Sequence, residues 1–337
     1  MAKHYRIAVV GATTTAGKEI VTVLGERDFP AAELIPLATQ GSLGSTVQYR
    51  DEEIPVQTIK KTLFQGVDIA FFASTEKISK EYAPGAAKQG CTVIDTTPCF
   101  RMDEGVPLVV PEINAHRISG NKGIIASPCP AAVQAALVLG PIHRAAVVLK
   151  VVLSTYQAVS DMGDTALEAL TEQIADLFNF RETRSSVFPH QMAFNVIPQI
   201  GPFLDNAYTS DEMRIAEETK KVLESSAVRI SATMVLVPMY YCHSQSVNIQ
   251  TVKKLSPDKV RSILKHFPGI RVEDNPAAGI YPLPVYVTGK DECFVGRIRE
   301  DLSTENGIAL WSVSDNIRKG TAINAVRIAE HLISINR

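Results

Sequence analysis

Apolar residues in the first third of the chain form short, almost continuous runs that are separated by longer amphipathic segments. Runs of this kind are typical of parallel strands that are covered by helices on both faces. The pattern therefore predicts an α/β domain of the Rossmann-like, nucleotide-binding type. We expect strands at residues 7–10, 34–38, 69–72 and 92–95, and helices at residues 17–25 and 79–89.

Further along the chain, the predicted strands become longer and partly alternate between apolar and polar residues. This alternation suits a mostly antiparallel sheet with one face exposed or used as an interface. The sequence therefore predicts an α+β second domain that is followed by a C-terminal helix. We expect strands at residues 147–154, 231–238, 247–252, 281–287, 294–299 and 308–313, and helices at residues 164–178, 209–224, 257–266 and 320–335.

The length and composition of the chain indicate a soluble protein with two hydrophobic cores. Its 337 residues are 45% hydrophobic, which is ample for two domains. The 34 basic and 36 acidic residues are spread evenly, so we expect no surface for nucleic acid or for an anionic membrane. We divide the chain into residues 1–128, residues 129–312, and a C-terminal segment, residues 313–337.

The N-terminal segment from Met1 to Arg6 runs directly into the first predicted strand, which argues against a signal or transit peptide. The most apolar region, residues 131–153, contains Gln134 and Lys150 and does not suit a membrane-spanning helix. We therefore expect a cytoplasmic protein. The five cysteines include no Cys-x-x-Cys pair, so we expect reduced thiols and no metal site.

A glycine-bearing turn follows the first predicted strand, where a dinucleotide-binding domain has its phosphate loop. It reads Gly11-Ala-Thr-Thr-Thr-Ala-Gly17. The backbone amides of such a turn and the start of the next helix bind a pyrophosphate. We take Gly11, Thr13, Thr14 and Gly17 as candidate cofactor contacts. A plain turn between a strand and a helix is the alternative, because a single glycine-rich turn is a weak signal.

Several longer segments resemble the aspartate-semialdehyde dehydrogenase family, in order and without long gaps. They are VIDTTPCFRMD (residues 93–103), VPLVVPEIN (106–114), STYQAVS (154–160) and SDNIRKGTAINAV (314–326). The resemblance implies an NADP-dependent enzyme in which a cysteine attacks the aldehyde carbon, and a second domain that forms the dimer contact. The same resemblance implies that the C-terminal segment, residues 313–337, returns to the first domain. It also implies the following roles: His243 as base, Gln157 as a substrate-positioning residue, Arg101 as a phosphate ligand, Glu212 as the amine-binding acid, Arg214 as a substrate contact where the family has Lys, and Asn316 as a cofactor contact.

The loop that carries the nucleophile in this family is different here. It reads Ile124-Ile-Ala-Ser-Pro-Cys-Pro-Ala-Ala-Val-Gln134, whereas the family has Ile-Ile-Ala-Asn-Pro-Asn-Cys-Ser-Thr. An alignment without a gap puts Pro130 at the nucleophile position and Cys129 one residue early. One step along a helix turns a side chain by about 100°, so the Cys129 thiol would miss its target unless the loop reorganised. As a helix cap, Cys129 would have a lowered thiol pKa; the alternative is a small buried residue without reactivity.

Further positions depart from the family pattern. Leu236 replaces an arginine that holds the substrate carboxylate, a contact worth ~1.5 to 3 kcal/mol. Thr14 replaces a glycine, so we expect crowding of the pyrophosphate and a costly positive φ. Gly41 replaces an arginine that binds the 2′-phosphate of NADP, and Thr75 and Glu76 replace two glycines beside the nicotinamide.

Two added carboxylates belong to the segment Asp161-Met-Gly-Asp164, which replaces a Ser-Gly-Ala-Gly run of the family. A surface turn and a helix N-cap account for both. We therefore assign neither of them to the site.

Together these features predict a family member that keeps the fold and the dimer but has lost the reaction, wholly or in large part. It is similar in this respect to the Usg-type relatives of the enzyme, which also lack the cysteine. We expect as partners a second copy of the chain, a true aspartate-semialdehyde dehydrogenase, and a small anionic metabolite near Arg101 and Arg214. Two alternatives stay open: an active NADP-dependent aspartate-semialdehyde dehydrogenase that uses Cys129, and a reductase for another acyl phosphate.

Overall fold

The computed structural model describes residues 4–183 and 187–335. The chain divides into two units, residues 1–129 with 320–337, and residues 130–319. The predicted boundaries after residues 128 and 312 differ from these by one and seven residues. Residues 1–3 lie outside the described residues, so part of the expectation about the N-terminal segment rests on the sequence alone.

A parallel sheet of six strands forms the centre of the first unit. Its strand order is β5-β2-β1-β6-β7-β8, and the five pairings are all parallel. A separate antiparallel hairpin, β3 with β4, was not predicted. The elements are β1 (Tyr5–Val10), α1 (Thr15–Glu26), β2 (Ala31–Ala38), β3 (Thr46–Tyr49), β4 (Glu52–Pro55), β5 (Gln57–Thr58), β6 (Ile69–Phe72), α2 (Glu76–Lys88), β7 (Thr92–Asp95), α3 (Pro111–Asn114) and β8 (Ile124–Ala126).

Both faces of this sheet are buried, as the continuous apolar runs predicted. Along β1, Ile7 and Val9 belong to the core on one face, and Ala8 and Val10 belong to the core on the other. A strand that is buried on both faces needs apolar residues at every position, and this is why its sequence does not alternate.

The second unit contains a mixed sheet of six strands in the order β10-β9-β11-β14-β13-β12. The three central pairings are antiparallel and the two outer ones are parallel, which confirms the predicted fold class. The elements are α4 (Pro130–Ala146), β9 (Val148–Gln157), α5 (Asp164–Phe178), α6 (Ser210–Val222), β10 (Arg229–Leu236), β11 (His243–Thr251), α7 (Pro257–Lys265), β12 (Ile270–Val272), α8 (Pro284–Val287), β13 (Cys293–Glu300) and β14 (Gly307–Ser314).

Helix α4 covers one face of this sheet and is almost entirely buried, from Ala131 to Ile142 without interruption. The opposite face carries exposed apolar residues such as Val152 and Tyr156. Among the described residues, no helix has both the length and the apolar character that crossing a membrane requires.

The chain ends in α9 (Asn324–Ile335), which belongs to the first unit. Val326 and Ile328 lie in the same core cluster as Ile7. A bidentate ion pair also joins this helix to α1, with Arg27 Nε and Nη2 at 2.7 and 2.9 Å from the carboxylate oxygens of Glu330.

The predicted strand at residues 281–287 is wrong. Pro284 begins the short helix α8 instead, and both Val285 and Tyr286 are more than 70% exposed. Proline has no backbone N–H for a strand ladder and suits the first turn of a helix. The apolar run therefore has a local reason to leave the sheet.

The turn between β1 and α1 depends on two glycines. Gly11 has a φ of +83°, and a Cβ there would lie 2.3 Å from the carbonyl oxygen of Ala73. A Cβ on Gly17 would lie 2.0 Å from the carbonyl oxygen of Gly11. The start of α1 is therefore packed directly against the turn, with no room for side chains at either position.

We expect Gly11→Ala to lower the free energy of unfolding by about 2 kcal/mol or more, because alanine combines a left-handed φ with a clash against backbone. Urea denaturation of the full chain measures this loss. Gly41→Ala is the matched control, since a Cβ at that position meets nothing within 4 Å. Equal losses in the two variants would contradict the packing described for the turn.

Candidate functional site

Thr14 is the N-cap of α1 and has an extended backbone, with φ −75° and ψ 159°. Its Oγ1 accepts a hydrogen bond from the amide of Gly17 at 3.0 Å and lies 2.9 Å from the carbonyl oxygens of both Gly11 and Ala73. The predicted positive φ at Thr14 is therefore wrong. Threonine is a good N-cap, and its hydroxyl is used inside the turn.

The loop after β2 approaches this turn, with 3.1 Å between the hydroxyl oxygens of Ser42 and Thr13. Residues 39–45 read TQGSLGS and contain neither lysine nor arginine. The turn suits the pyrophosphate of a dinucleotide, because Gly11 and the first turn of α1 keep the required backbone. A 2′-phosphate would meet hydroxyls and amides in this loop, but no cation.

The two replacements near the predicted nicotinamide position have local roles. Thr75 is the N-cap of α2, where its hydroxyl accepts from the amide of Ile78 at 3.4 Å. Glu76 is exposed in the first turn of this helix, where a carboxylate interacts favourably with the helix dipole. Their predicted interference with a nicotinamide stays a prediction.

Arg101 is buried, with its Nε donating to the carbonyl of Ser127 at 3.0 Å and its Nη2 to the carbonyl of Thr96 at 2.6 Å. These carbonyls follow β8 and β7, so the guanidinium connects the ends of two neighbouring strands. Burial raises the pKa of nearby Asp95, although hydrogen bonds from Thr97 and Ser79 and the charge of Arg101 act in the opposite direction. The predicted phosphate-binding role of Arg101 stays a prediction beside this structural one.

Pro130 is the first residue of α4, and Cys129 is the half-buried residue directly before it. The position to which the family resemblance assigns the nucleophile therefore begins a helix here; that assignment stays a prediction. Burial raises the pKa of Cys91, Cys242 and Cys293 to about 12, so these thiols are protonated near neutral pH.

Four residues lie side by side at one end of the second unit's sheet, and we call them the edge row. Leu236 of β10 pairs with Gln157 of β9, and His243 of β11 pairs with Ser314 of β14. His243 is also opposite Gln157, one step beyond the pair of Tyr156 with Ser244. The register thus brings together two predicted site residues, His243 and Gln157, with a leucine and a serine.

The edge row is buried, with each member no more than 4% exposed. Nevertheless Gln157 Nε2, His243 Nε2 and Ser314 Oγ have no hydrogen-bond partner among the described residues. Buried polar atoms without a partner are uncommon in native proteins and mark sites that await a ligand, an ion or water. Three such atoms lie on neighbouring strands, two of them on predicted site residues, and for this reason we take the edge row as the centre of the candidate site.

The N-terminal turn of α4 lies over the same face of the sheet. Gln245 Nε2 donates to the carbonyl of Ala131 at 2.8 Å, and Gln134 Nε2 donates to Ser312 Oγ at 2.9 Å. Gln245 and Ser312 are each two residues from a member of the edge row on the same strand. Pro130 is therefore held at the end of the sheet that carries His243.

His243 has a defined tautomer in this arrangement. Its Nδ1 accepts a hydrogen bond from the backbone amide of Ala158 at 3.2 Å, so the neutral ring carries its proton on Nε2. Nε2 lies 3.7 Å from Oδ1 of Asp161. The neutral His243 ring can therefore donate a hydrogen bond through Nε2, with a carboxylate beside it.

Asp161 is thus a candidate site residue that the sequence analysis assigned only to a surface turn. It lies in a short 3-10 turn, Val159–Met162, that follows the matched segment ending at Ser160. Its closeness to that segment was the one available signal. Sequence alone does not distinguish a solvated turn carboxylate from one beside a buried histidine.

Glu212 and Arg214 of α6 have structural partners. The carboxylate of Glu212 accepts from the amides of Thr209 and Met234 at 2.8 and 3.0 Å, and Thr209 completes a capping box. Arg214 Nη1 lies 2.8 Å from Oδ1 of Asp211. Their predicted substrate contacts stay predictions, and the hydrogen bond from Met234 to Glu212 joins β10 to α6.

Asn316 is buried, and its Oδ1 accepts from the amide of Cys242 at 3.0 Å while its Nδ2 lies 3.0 Å from Ser160 Oγ. Cys242 has a φ of +73°, a conformation that favours glycine, and the resembled family has glycine there. Asn316 therefore holds the residue before His243, and its predicted cofactor contact stays a prediction. Among the described residues, no group of three or more His, Cys, Asp or Glu side chains is arranged to hold a metal ion.

Two family models match the chain, the semialdehyde dehydrogenase NAD binding domain over residues 6–121 and the semialdehyde dehydrogenase dimerisation domain over residues 139–319. The aspartate-semialdehyde dehydrogenase of Aquifex aeolicus is 44% identical over 98% of each chain. That of Legionella pneumophila is 43% identical over 98% of this chain and 96% of its own length. The crystal structure of aspartate semialdehyde dehydrogenase II from Vibrio cholerae matches with a TM-score of 0.96 at 38% identity, and covers 98% of this chain and 99% of its own. The similarity spans both units, and this chain belongs to the aspartate-semialdehyde dehydrogenase family.

Proposed function

We propose that this chain is a family member in which the phosphate-dependent oxidation of aspartate semialdehyde is lost or strongly impaired, and which keeps a ligand pocket at the edge row. The observation that carries the proposal is Pro130, which begins α4 at the position of the family's nucleophile. Deleting a nucleophile from a hydrolase triad lowers the rate on the order of a millionfold, and the remaining groups do not replace it.

Leu236 supports the same proposal. It lies in an apolar cluster with Leu170 and Met192, and its backbone N–H and C=O both pair with Ile197. The position where the resemblance implies a carboxylate-binding arginine is therefore part of a hydrophobic core. A substrate carboxylate beside Gln157 would lose its charge-assisted bonds and part of its hydration.

The proposed pocket keeps polar groups that can bind a small molecule. His243 and Gln157 each have an N–H donor, on Nε2, that has no hydrogen-bond partner among the described residues. Donors of this kind suit a carbonyl or hydroxyl oxygen. Binding without turnover is therefore the activity that we propose for this pocket.

We further propose that the first unit binds a dinucleotide weakly and without preference for NADP. Gly11 and Gly17 preserve the turn for a pyrophosphate, whereas residues 39–45 offer no cation to a 2′-phosphate. A bound nicotinamide would supply a hydride acceptor. In this proposal the turn from Gly11 to Gly17 holds the pyrophosphate at the start of α1.

The exposed face of the second unit's sheet suits a dimer contact. Val152 and Tyr156 are exposed on this face, and the domain matches the dimerisation model of the family. We propose a homodimer through this face. A true aspartate-semialdehyde dehydrogenase would present the same kind of domain, so a mixed dimer is the second candidate assembly.

One observation favours the alternative of an active enzyme. Cys129 is half-buried and directly precedes α4, where a helix dipole stabilises a thiolate. An NADP-dependent dehydrogenase that uses Cys129, or a reductase for another acyl phosphate, would need this thiol in place of the one missing at Pro130.

We expect the natural chain to show no phosphate-dependent reduction of NADP with aspartate semialdehyde above background. The variant Cys129→Asn/Pro130→Cys restores the family register of the thiol, and it should raise kcat/KM by about a hundredfold or more, since a thiol misplaced by about 1 Å costs that much. Absorbance of NADPH measures the rate, and Cys129→Asn alone is the matched control. Turnover by the natural chain that Cys129→Ser abolishes would establish the alternative instead.

We expect calorimetric titration to give similar Kd values for NADP and NAD, within about threefold of each other, because residues 39–45 lack a cation. Gly41→Arg should tighten NADP binding by about tenfold and leave NAD binding unchanged. Gly41→Ala controls for the loss of glycine. A natural chain that binds NADP much more tightly than NAD would show that another cation holds the 2′-phosphate.

A further inference from the structure

A short turn, residues 301–306, joins β13 to β14 and lies against the exposed face of the second unit's sheet. Oδ2 of Asp301 accepts a hydrogen bond from Nδ2 of Asn248, on β11, at 2.7 Å. Oδ1 of the same carboxylate accepts from the amide and the hydroxyl of Ser303 at 2.9 and 2.7 Å. These bonds lower the pKa of Asp301, so its carboxylate is ionised near neutral pH and holds the turn on the sheet.

The turn lines a cavity of about 370 Å³ on this face, together with Lys150 and Val152 of β9 and Asn248 and Gln250 of β11. Lys150 is opposite Gln250 and Val152 is opposite Asn248 in the strand ladder, so these side chains share one face of the sheet. Val152 also lies on the face that we propose for the homodimer. The cavity is therefore continuous with that face.

The turn forms a ridge, because it also lines a second cavity, of about 530 Å³, that includes Lys254 and Glu300. Leu302 of the turn is 93% exposed. Lys254 and Glu300 form an ion pair at 2.6 Å. By contrast, the ammonium group of Lys150 and the carboxylate of Glu305 have no hydrogen bond or ion pair among the described residues. The ridge and the first cavity thus combine an exposed apolar side chain with an unpaired cation and an unpaired anion.

A two-fold contact between copies needs a surface that is complementary to itself, because each copy presents the same residues. The surface around the turn meets this need in shape, since an exposed leucine adjoins a cavity. It also meets the need in charge, since a cation and an anion are both unpaired there among the described residues. The domain that carries this surface matches the dimerisation model of the family. A second copy of the chain is therefore the occupant that suits the cavity.

We infer that the turn at residues 301–306 is the element through which two copies of this chain recognise each other. In the dimer, Leu302 of one copy enters the cavity of the other. Glu305 pairs with Lys150 across the contact, twice by symmetry. The inference rests on the homodimer of the proposed function and names its recognition residues.

We expect Leu302→Ser to raise the Kd of the dimer by about tenfold or more, because the leucine loses its apolar contact with the other copy. Sedimentation equilibrium of the full chain over a dilution series measures this Kd. Leu302 is exposed in the single chain, so serine there removes no internal apolar contact and the variant should fold. Leu43→Ser is the matched control, since Leu43 is a 70% exposed leucine of the first unit and its loss should leave the Kd unchanged.

A charge exchange tests the ion pair across the contact. Lys150→Glu and Glu305→Lys each bring like charges together at both contacts of their own dimer, so each should raise the Kd by about tenfold. In a mixed dimer of the two variants, both contacts join opposite charges. The mixed dimer should therefore have a Kd about tenfold or more below that of either variant alone. Native mass spectrometry of an equimolar mixture, with one variant labelled with ¹⁵N, measures the share of mixed dimers.

Random pairing in this mixture would overturn the inference, as would a Leu302→Ser dimer as tight as the natural one. Inorganic phosphate that binds to the natural chain and not to Lys150→Glu, while both dimerise equally, would show instead that the cavity holds a small anion. A natural dimer that none of the variants weakens overturns this inference alone. A natural chain that stays monomeric at every concentration overturns the proposed homodimer as well, so the two failures are distinguishable.

Discussion

The hydrogen bond from the amide of Ala158 to Nδ1 of His243 sets the chemistry of the candidate site. It forms because β9 and β11 pair in a register that brings the end of one strand opposite the start of the other. The bond turns the imidazole so that Nε2 lies toward Asp161 and determines which nitrogen of the neutral ring holds the proton. A register shift of one residue would move His243 to the other face of the sheet, away from Gln157 and Leu236.

The polar side chains that the family resemblance assigns to ligands fall into two groups. Thr14, Arg101, Glu212 and Asn316 use hydrogen bonds to stabilise turns, strand ends and caps. The edge row instead keeps buried donors without a partner among the described residues. Burying an unpaired polar group costs free energy. A buried polar atom without a partner is therefore stronger evidence for ligand binding than a residue type that merely matches the family.

The sequence predicted those parts of the fold that have a simple period. The strands at residues 69–72 and 92–95 and the helix at residues 164–178 have the predicted bounds, because burial on both faces or on one helical stripe leaves a clear pattern.

The predicted strand at residues 281–287 was wrong because a short helix with two prolines nearby shows the same apolar run. The positive φ at Thr14 was inferred from the glycine of the resembled family. In this chain the Thr14 side chain caps α1 and its backbone is extended, so the turn forms without a positive φ at this position. Asp161 was missed because its neighbour His243 comes from a strand 82 residues away, and only the three-dimensional structure brings the two together.

The position of α9 has a consequence for how the protein is made. Val326, Ile328 and Ala329 belong to the C-terminal segment, residues 320–337, which completes the core of a unit whose other segment, residues 1–129, is synthesised first. During translation, the nascent first unit therefore waits for the whole second unit to leave the ribosome before its apolar surface is covered. Exposed apolar surface of this kind promotes aggregation, so the N-terminal half is the part of the chain with the greater need for chaperones during synthesis.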